Sequence, residues 1–406
     1  MPPSRLRLSR RLPWEHPSNR LAQALEGRTA LAQPTIDLTE TNPTRVGLSY
    51  PEEELAEILG RGAASDYQPH PRGMQEAREA LAATLSEAGG EPVSPDDLVL
   101  TASTSESYSY LFKLFADPGD EVLAAAPSYP LLDSLAALDS VVLQRFPLDP
   151  ERQFAHELGE VEHALSPRTR LLVLVHPGNP SGAFLSVPEQ DAMATLCAAR
   201  EIPLISDEVF ADYPLADPPT GSRRSGPAAA SGEALSFTLG GLSKSAGLPS
   251  WKLGWIRVGG PPKLRRRAVD ALELVADSYL SVASPVQRAL AGVLALAPRI
   301  RTVILERLRG NLIVLRQTLD GLPGVEILEP EGGWSAVLRV SHQTTDEELV
   351  LDLLDNAGVL VHPGYFFDFA SEDFLVLSLL PEPARFAEGV RRFRSLWETR
   401  HSEGRT

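Results

Sequence analysis

A lysine in an unusual setting is the first residue of this 406-residue chain that could do chemistry. Lys244 lies within SFTLGGLSKSAGLPSWKLGW, residues 236–255, where an apolar run ends in two glycines and small residues surround the amine. Fixing a lysine side chain costs about 2 kcal/mol of rotamer entropy, and removing its ammonium from water costs more unless the charge is paired or neutralised. Lys244 therefore either extends its amine to solvent or has a partner in a buried site.

Three further candidate residues stand at the ends of apolar, strand-like runs. Asp207 ends the run IPLISD, where a carboxylate removed from water needs a cationic partner. Tyr129 follows EVLAAA within APSYP, where its ring could stack on a flat ligand, although a core aromatic is the simpler interpretation. Asn179 opens NPSG, which by itself is typical of a turn.

A run of hydroxyl side chains, TASTSES at residues 101–107, follows another strand-like run and precedes a helical pattern. Backbone N–H groups and hydroxyls at such a helix start can bind a phosphate. Serine and threonine are also common helix caps, so this segment alone leaves both interpretations open.

The elements that must position these residues alternate along the middle of the chain. Short apolar runs such as LLVLV (171–175) and IPLIS (202–206) predict strands, and helical patterns separate them. Such alternation predicts an α/β domain with a mostly parallel sheet covered on both faces. Because ligands of such a sheet bind beyond the carboxyl ends of its strands, the strand-end loops are expected to meet at one site.

The pattern changes after residue 260. Long helical patterns at 262–277 and 285–320 lead into strand-like segments and a final helix, which predicts a smaller α+β domain. Residues 221–234, rich in Gly, Ser, Pro and Ala, predict a surface loop.

Composition excludes several classes of function. The formal net charge of −16 argues against nucleic acid or an anionic membrane as a partner. One cysteine, Cys197, allows no internal disulfide and no multi-cysteine metal site, and the eight histidines show no zinc-hydrolase spacing. The same cysteine and histidine pattern leads us to expect no metal. No segment reaches the roughly 20 apolar residues that a membrane span needs, and a cytoplasmic location is expected.

Taken together, these segments resemble the class I/II aminotransferases, a family of fold type I pyridoxal-phosphate-dependent enzymes. The shared motifs occur in that family's order: Tyr67 with PHPRG, then TASTSES, DPGDEV, PSYP, NPSG, SDEV, SKSAGLPSWKLGW, GGW and HPG. Each motif is loose, but the ordered set is specific, and it extends from about residue 36 to the last helix. The resemblance implies an α/β fold of type I, with a mostly parallel sheet in the large domain and a smaller α+β domain.

The resemblance also implies pyridoxal 5'-phosphate as cofactor and a role for each candidate residue. Lys244 would carry the cofactor as a Schiff base and shuttle a proton, Asp207 would pair with the ring nitrogen, and Tyr129 would stack on the ring. Asn179 would donate a hydrogen bond to the ring oxygen. The phosphate would be held by Ser103, Thr104, Ser105, Ser243 and Lys252. The family builds its sites across a homodimer, and Tyr67 would reach the phosphate of the neighbouring subunit.

Three positions depart from the family pattern. Phe210 stands where a tyrosine usually donates to the cofactor's ring oxygen, so one donor is missing unless Tyr213 replaces it. Lys252 stands in place of a phosphate-binding arginine and offers a point charge instead of a two-pronged fork. Val376, in FLVLSLL, stands where an arginine usually binds the substrate carboxylate.

The loss of that arginine leaves the substrate open. Arg45, Arg339 and His362 are candidate replacements, although each is more simply explained as a surface or structural residue. The first hypothesis is an aminotransferase that moves an amino group between an amino acid or amine and a 2-oxo acid by a ping-pong mechanism. The alternatives are a lyase, cyclase or racemase with the same cofactor, or a non-catalytic binding protein that retains the fold.

The expected domain division follows from the same resemblance. Residues 46–285 would form the large cofactor-binding domain, and residues 1–45 and 286–406 would form an N-terminal arm and the small domain.

Overall fold

The computed structural model describes residues 7–14, 19–63, 67–89, 92–217, 233–342 and 344–403. The surface loop predicted for 221–234 falls almost entirely outside these ranges, as does part of the N-terminal arm. The predicted domain boundaries stay a prediction.

Thirteen strands and twelve α-helices form the described structure. The strands are β1 (Ile36–Asp37), β2 (Leu98–Thr101), β3 (Glu121–Ala126), β4 (Val142–Pro147), β5 (Thr169–Val175), β6 (Leu204–Asp207), β7 (Ser236–Gly241), β8 (Gly254–Gly259), β9 (Val325–Leu328), β10 (Ser335–Val340), β11 (Val359–Leu360), β12 (His362–Pro363) and β13 (Phe374–Ser378). The helices are α1 (Arg20–Ala30), α2 (Glu52–Gly62), α3 (Gln75–Gly89), α4 (Thr104–Phe115), α5 (Leu131–Leu138), α6 (Leu158–Ala164), α7 (Val187–Arg200), α8 (Leu242–Ser245), α9 (Pro262–Asp277), α10 (Ser284–Leu319), α11 (Asp346–Asp352) and α12 (Pro383–Glu403).

The largest sheet has seven strands in the order β2-β8-β7-β6-β5-β3-β4. All neighbours are parallel except β8, which runs antiparallel to both β2 and β7. The prediction of a mostly parallel sheet is therefore confirmed. Strand β8 was not predicted, because its first two residues are the end of the motif SKSAGLPSWKLGW and its sequence GWIRVG shows no alternation.

The register of this sheet brings three strand ends to one edge. Val175 pairs with Asp207, and Asp207 pairs with Leu239, so β5, β6 and β7 end side by side. Strands β5 and β6 are buried along nearly their whole length, which explains their unbroken apolar sequence. The loops that leave this edge carry Asn179 and Lys244.

A second sheet of four strands, β12-β13-β10-β9, is antiparallel, and the two-stranded sheet β1-β11 lies beside α12. The 36-residue helix α10 packs against α2, α3 and α12. It connects the part of the chain that holds the seven-stranded sheet to the part that holds the four-stranded one. Among the described helices, none combines the length and the apolar character needed to cross a bilayer.

Candidate active site

A cavity of about 170 Å³ lies at the carboxyl ends of the parallel strands. Nine of the candidate residues predicted from the sequence line it: Ser103, Thr104, Ser105, Tyr129, Asn179, Asp207, Phe210, Ser243 and Lys244. The structure therefore brings together residues that are up to about 140 positions apart in the chain. Their shared location does not by itself assign a role to any of them.

Lys244 lies in the short helix α8, and its amine is unpaired. Its Nζ is 4.7 Å from the ring centre of Trp334 and 5.4 Å from that of Phe210, and no carboxylate or other acceptor within the described ranges bonds to it. Desolvation by burial lowers the pKa of Lys244 to about 8, and the charge of Asp207 opposes this only in part. An amine of this kind is partly neutral near physiological pH, which an exposed lysine is not.

Asp207 is a buried carboxylate, 7% exposed, that also lacks an ion pair among the described residues. Its Oδ2 accepts a hydrogen bond from the hydroxyl of Tyr108 at 2.8 Å, and its Oδ1 accepts one from the backbone N–H of Val209 at 3.2 Å. Burial raises the pKa of Asp207, and these two hydrogen bonds counteract the rise because they stabilise the charged form. The cationic partner that the sequence predicted must therefore come from within the cavity.

Tyr108 is a residue that the sequence reasoning missed. It lies in α4 and is 3% exposed, and its hydroxyl has the Asp207 carboxylate as its partner. One feature of the sequence indicated that Tyr108 could lie near the site. It follows Thr104 by four residues, so the two share a helix face. The contact with Asp207 joins residues 99 positions apart and could not be found from local spacing.

The hydroxyl-rich segment is a helix start that faces the cavity. Ser103 caps α4 by accepting a hydrogen bond from the backbone N–H of Glu106, as the simpler interpretation held, and it also lines the cavity. Strand β8 passes close to this point, since a Cβ on Gly254 would lie 3.0 Å from the carbonyl carbon of Ser103 and 3.1 Å from the nitrogen of Thr104. A side chain at position 254 would therefore collide with the start of the helix.

Two predicted site residues do not line this cavity. Lys252 is exposed and adopts a left-handed backbone conformation with φ of 48°. Tyr67 is 65% exposed and lines a separate cavity of about 20 Å³ together with Tyr110 and Ser281. Their phosphate-binding roles stay predictions.

The sequence did not identify the residues that line the cavity on the side of the four-stranded sheet. Trp334 and Ser335 line it, and Thr41 joins them from the segment after β1. Trp334 is 2% exposed, and its rings contact Phe210 and Tyr213 edge to face, at 5.4 and 5.2 Å between ring centres. Its Nε1–H has no acceptor among the described residues.

Tyr213 does not replace the donor that Phe210 lacks. Its hydroxyl donates to the backbone carbonyl of Lys244 at 2.5 Å. It therefore fixes the backbone that carries Lys244.

The three candidate cations for a substrate carboxylate lie outside the cavity lining. Arg45 is exposed, and its Nε lies 3.7 Å from Oε2 of Glu40. Arg339 pairs with Glu151 at 2.8 Å and with Glu326 at 3.2 Å. His362 packs against the rings of Phe366 and Phe367, and desolvation lowers its pKa, which disfavours the charged form.

Comparison with known proteins places this geometry in context. The family described as "Aminotransferase class I and II" matches residues 45–391. An alanine aminotransferase of Mycobacterium tuberculosis is 26% identical over 364 residues, which cover 88% of this chain and 84% of that protein. A valine–pyruvate aminotransferase of the same species is 30% identical over 331 residues, covering 80% and 81%.

Solved structures show the same relationship. A double mutant of Thermus thermophilus aspartate aminotransferase is 26% identical with a TM-score of 0.83, and the match covers 96% of this chain and all of that one. An alanine aminotransferase from Pyrococcus furiosus has a TM-score of 0.86 at 23% identity, covering 97% and 100%. The expectation of a type I fold from the sequence is confirmed.

Proposed function

The chain belongs to the class I and II aminotransferase family, and we propose that it uses pyridoxal 5'-phosphate held covalently by Lys244. Its reaction is transamination, in which an amino group moves between an amino acid or amine and a 2-oxo acid by a ping-pong mechanism. Because a ping-pong enzyme binds donor and acceptor in turn, both substrates use the same cavity. The single observation that carries the cofactor proposal is the unpaired amine of Lys244 in one cavity with the unpaired carboxylate of Asp207.

The donor set fits the cofactor. A buried amine with a lowered pKa suits covalent attachment, a buried carboxylate suits a protonated ring nitrogen, and a hydroxyl-lined helix start suits a phosphate. Family members are pyridoxal-phosphate enzymes, which agrees with this set. When bound, the cofactor supplies the carbonyl that receives the amino group and a ring that withdraws electrons from the reacting carbon.

Each residue of the cavity then has a defined task. Asp207, held by Tyr108, keeps a positive charge on the ring nitrogen, because a buried carboxylate stabilises the cation that faces it. Asn179 would donate to the ring oxygen, and Tyr129 would cover the ring face. The phosphate contacts are assigned to Ser103, Thr104, Ser105 and Ser243, with Lys252 and a second subunit's Tyr67 as outer contributors.

Lys244 has a second task once it is released from the cofactor. Its amine, with a pKa of about 8, would take the proton from the α-carbon of the bound amino compound and deliver it to the cofactor carbon that receives the amino group. An ammonium with the ordinary pKa of 10.5 would be protonated at neutral pH and could not accept that proton.

A homodimer with shared sites and a cytoplasmic location are part of the same proposal. The exposure of Tyr67 supports the dimer, because a tyrosine that serves a neighbouring site should lie outside its own cavity. The names of relatives, which include alanine and valine–pyruvate aminotransferases, point to pyruvate as the first acceptor to test.

The proposal is tested on protein loaded with pyridoxal phosphate and then reduced with borohydride. We expect the label on the peptide that contains Lys244, with Lys252 and Lys263 unmodified. A panel of amino donors should then bleach the absorbance of unreduced holoenzyme, and pyruvate should restore it. Protein that binds no cofactor, or a label on another lysine, would overturn the cofactor assignment; bleaching without restoration by any 2-oxo acid would favour a lyase, cyclase or racemase.

A further inference from the structure

The loop that joins β9 to β10, residues 329–334, lies against the turn that carries Asn179. The loop belongs to the four-stranded sheet and ends at Trp334, which lines the cavity. Each of its residues from Glu331 to Gly333 makes a hydrogen bond to the chain that follows β5 or β6. The loop therefore attaches the four-stranded sheet to two segments that carry or support proposed site residues.

The turn that carries Asn179 comprises residues 178–183. Inside it, the N–H of Gly178 donates to the carbonyl of Ala183, and the N–H of Gly182 donates to the carbonyl of Gly178, both at 2.8 Å. These bonds define the shape of the turn. Because both partners of each bond belong to the turn, the bonds do not fix its position relative to the rest of the cavity.

The side chain of Glu331 supplies a contact from outside the turn. Its Oε2 accepts a hydrogen bond at 2.8 Å from the backbone N–H of Phe184, the residue that directly follows the turn. Beside it, the N–H of Gly332 donates to the carbonyl of Gly182 at 3.0 Å. Since a carboxylate accepts stronger hydrogen bonds than a neutral oxygen does, the bond from Phe184 is expected to be the firmer attachment.

The two backbones cross without room for a side chain. A Cβ on Gly182 would lie 2.7 Å from the carbonyl oxygen of Gly332, and a Cβ on Gly332 would lie 2.9 Å from the carbonyl oxygen of Tyr213. Gly182 also has a φ of 72°, which glycine adopts without strain. Because closely packed groups transmit displacement, a shift of the β9–β10 loop must shift the Asn179 turn as well.

The same loop also bonds to the segment that supports Lys244. The carbonyl of Glu331 accepts the N–H of Leu215 at 2.8 Å, and the N–H of Gly333 donates to the carbonyl of Tyr213 at 3.0 Å. These are backbone bonds, so a change of the Glu331 side chain leaves their donors and acceptors in place. The Glu331 carboxylate therefore offers a way to loosen the Asn179 turn alone.

We propose that Glu331 is a positioning residue, whose carboxylate holds the turn so that the Asn179 amide meets the ring oxygen of the cofactor. The inference rests on the proposed function, which assigns that oxygen to Asn179. A donor there stabilises the negative charge of the oxygen most when the neighbouring nitrogen of the Lys244 linkage has lost its proton. Loss of the Glu331 contact should therefore raise the pH midpoint of that proton loss.

The test titrates the absorbance of the holoenzyme with pH in side-chain variants. Glu331→Ala should raise the midpoint by about 0.5 unit, a threefold change in the proton equilibrium, because it loosens Asn179 without removing it. Glu331→Gln keeps the reach of the acceptor without its charge and should restore the midpoint. Glu331→Asp keeps the charge without the reach and should behave like Glu331→Ala. Asn179→Ala removes the donor itself and should raise the midpoint by about one unit.

Two further measurements separate positioning from a general loss of stability. In the double variant Asn179→Ala/Glu331→Ala the midpoint should equal that of Asn179→Ala, because no amide is left to position. Hydrogen exchange in the cofactor-free protein does not depend on the reaction. There the amide of Phe184 should exchange about tenfold faster in Glu331→Ala than in the unmodified protein, since its acceptor is gone.

The matched control is Glu329→Ala, two residues away in the same loop. The carboxylate of Glu329 pairs with Arg316, with 3.0 Å between Oε2 and Nε. Both glutamates line a cavity of about 580 Å³ beside the loop, so the control shows whether any loss of negative charge there has the same effect. Glu329→Ala should leave both the midpoint and the exchange of the Phe184 amide unchanged.

Four results would overturn the inference while the proposed function stood. The first is an unchanged midpoint or an unchanged exchange rate in Glu331→Ala, when Asn179→Ala does shift the midpoint. The second is a Glu331→Gln midpoint as high as that of Glu331→Ala, which would assign the effect to charge. The third is an equal shift in Glu329→Ala. The fourth is a double variant in which the two shifts add.

Other outcomes would reach the proposed function itself. Asn179→Ala without a shift of the midpoint would refute this inference together with the assignment of Asn179 to the ring oxygen, while the attachment to Lys244 stood. Protein that binds no cofactor would refute the cofactor proposal. Faster exchange of the Phe184 amide in cofactor-free Glu331→Ala would then show only that the contact itself had been lost.

Discussion

Two walls of the same cavity differ sharply in charge. The large-sheet wall, formed by Ser103, Asp207, Ser243 and Lys244, contains both charged groups among the described lining residues. The small-sheet wall, formed by Trp334 and Ser335, contains neutral ones and stands beside the apolar cluster of Val376. The first wall carries residues from the shared motifs TASTSES, SDEV and SKSAGLPSWKLGW, and the second carries Trp334 of the shared motif GGW beside Val376, which departs from the family pattern.

Under the proposed function, the groups for proton transfer and for the charge on the cofactor ring lie on the large-sheet wall, and the difference in charge separates them from the small-sheet wall. Proton transfer and charge on the cofactor ring require an amine and a carboxylate at fixed places, so the large-sheet wall has little freedom. Recognition requires only that the substrate's polar groups find partners, which neutral donors can provide. The small-sheet wall can therefore change without loss of the reaction.

The largest effect is expected at the large-sheet wall. Asp207→Asn keeps the shape of the side chain but removes its charge, and it should lower kcat about 10²- to 10³-fold because the ring nitrogen loses its stabilising anion. Turnover of alanine with pyruvate measures the effect. Asp212→Asn, which alters a carboxylate paired with Arg301 outside the cavity lining, is the control. Equal losses in both variants would mean that the wall has no special electrostatic role.

A second effect concerns the stability of the cofactor-free protein. Lys244→Met should raise the free energy of unfolding by up to about 3 kcal/mol at pH 7, because the native protein then no longer buries an ammonium. The pKa of Lys244 is lowered to about 8 from its ordinary 10.5. Below pH 8 the amine is charged in both the folded and unfolded states, and the destabilisation is complete.

The pH dependence of this effect has a definite sign. Between pH 8 and 10.5 the folded protein has released the proton while the unfolded chain still binds it, so the stability of the unmodified protein rises with pH. Its difference from Lys244→Met should shrink over that range. Urea unfolding at several pH values measures it, with the exposed Lys263→Met as control. Parallel curves for the lysine and methionine proteins would contradict the lowered pKa.

The sequence identified the lining residues of the large-sheet wall more completely than those of the small-sheet wall. The large-sheet wall was found because its residues follow apolar strands, and parallel strands end at one edge, so local pattern and topology agree. Tyr108 was missed there, since a helix residue shows its distant partner only in the fold. On the small-sheet wall, Trp334 directly precedes β10 and Ser335 begins it, and the register of this antiparallel strand depends on residues some 40 positions away. Spacing alone does not encode that register.

Tyr108 provides a smaller test of the large-sheet wall. Tyr108→Phe removes the hydroxyl that donates to Asp207 and leaves the ring packed, so the carboxylate loses one of two hydrogen bonds. We expect about a tenfold fall in kcat and weaker cofactor binding, since a less fixed carboxylate stabilises the ring nitrogen less well. Tyr110→Phe, two residues along the same helix and outside the cavity lining, is the matched control. A purely structural role would lower stability but leave the pH profile of the bound cofactor's absorbance unchanged.

The smallest effect is expected for a change at Arg339. A charged small-sheet wall would instead predict a large change in KM for this variant. Arg339 is the candidate cation on β10 itself, and Arg339→Ala should change KM for alanine and pyruvate less than about twofold, because its guanidinium already pairs with Glu326 and Glu151. Steady-state kinetics with both substrates measures it. A rise in KM above about tenfold with kcat unchanged would show that Arg339 leaves its glutamates to bind the carboxylate. The small-sheet wall would then be charged during turnover, and the contrast between the two walls would hold only for the protein without substrate.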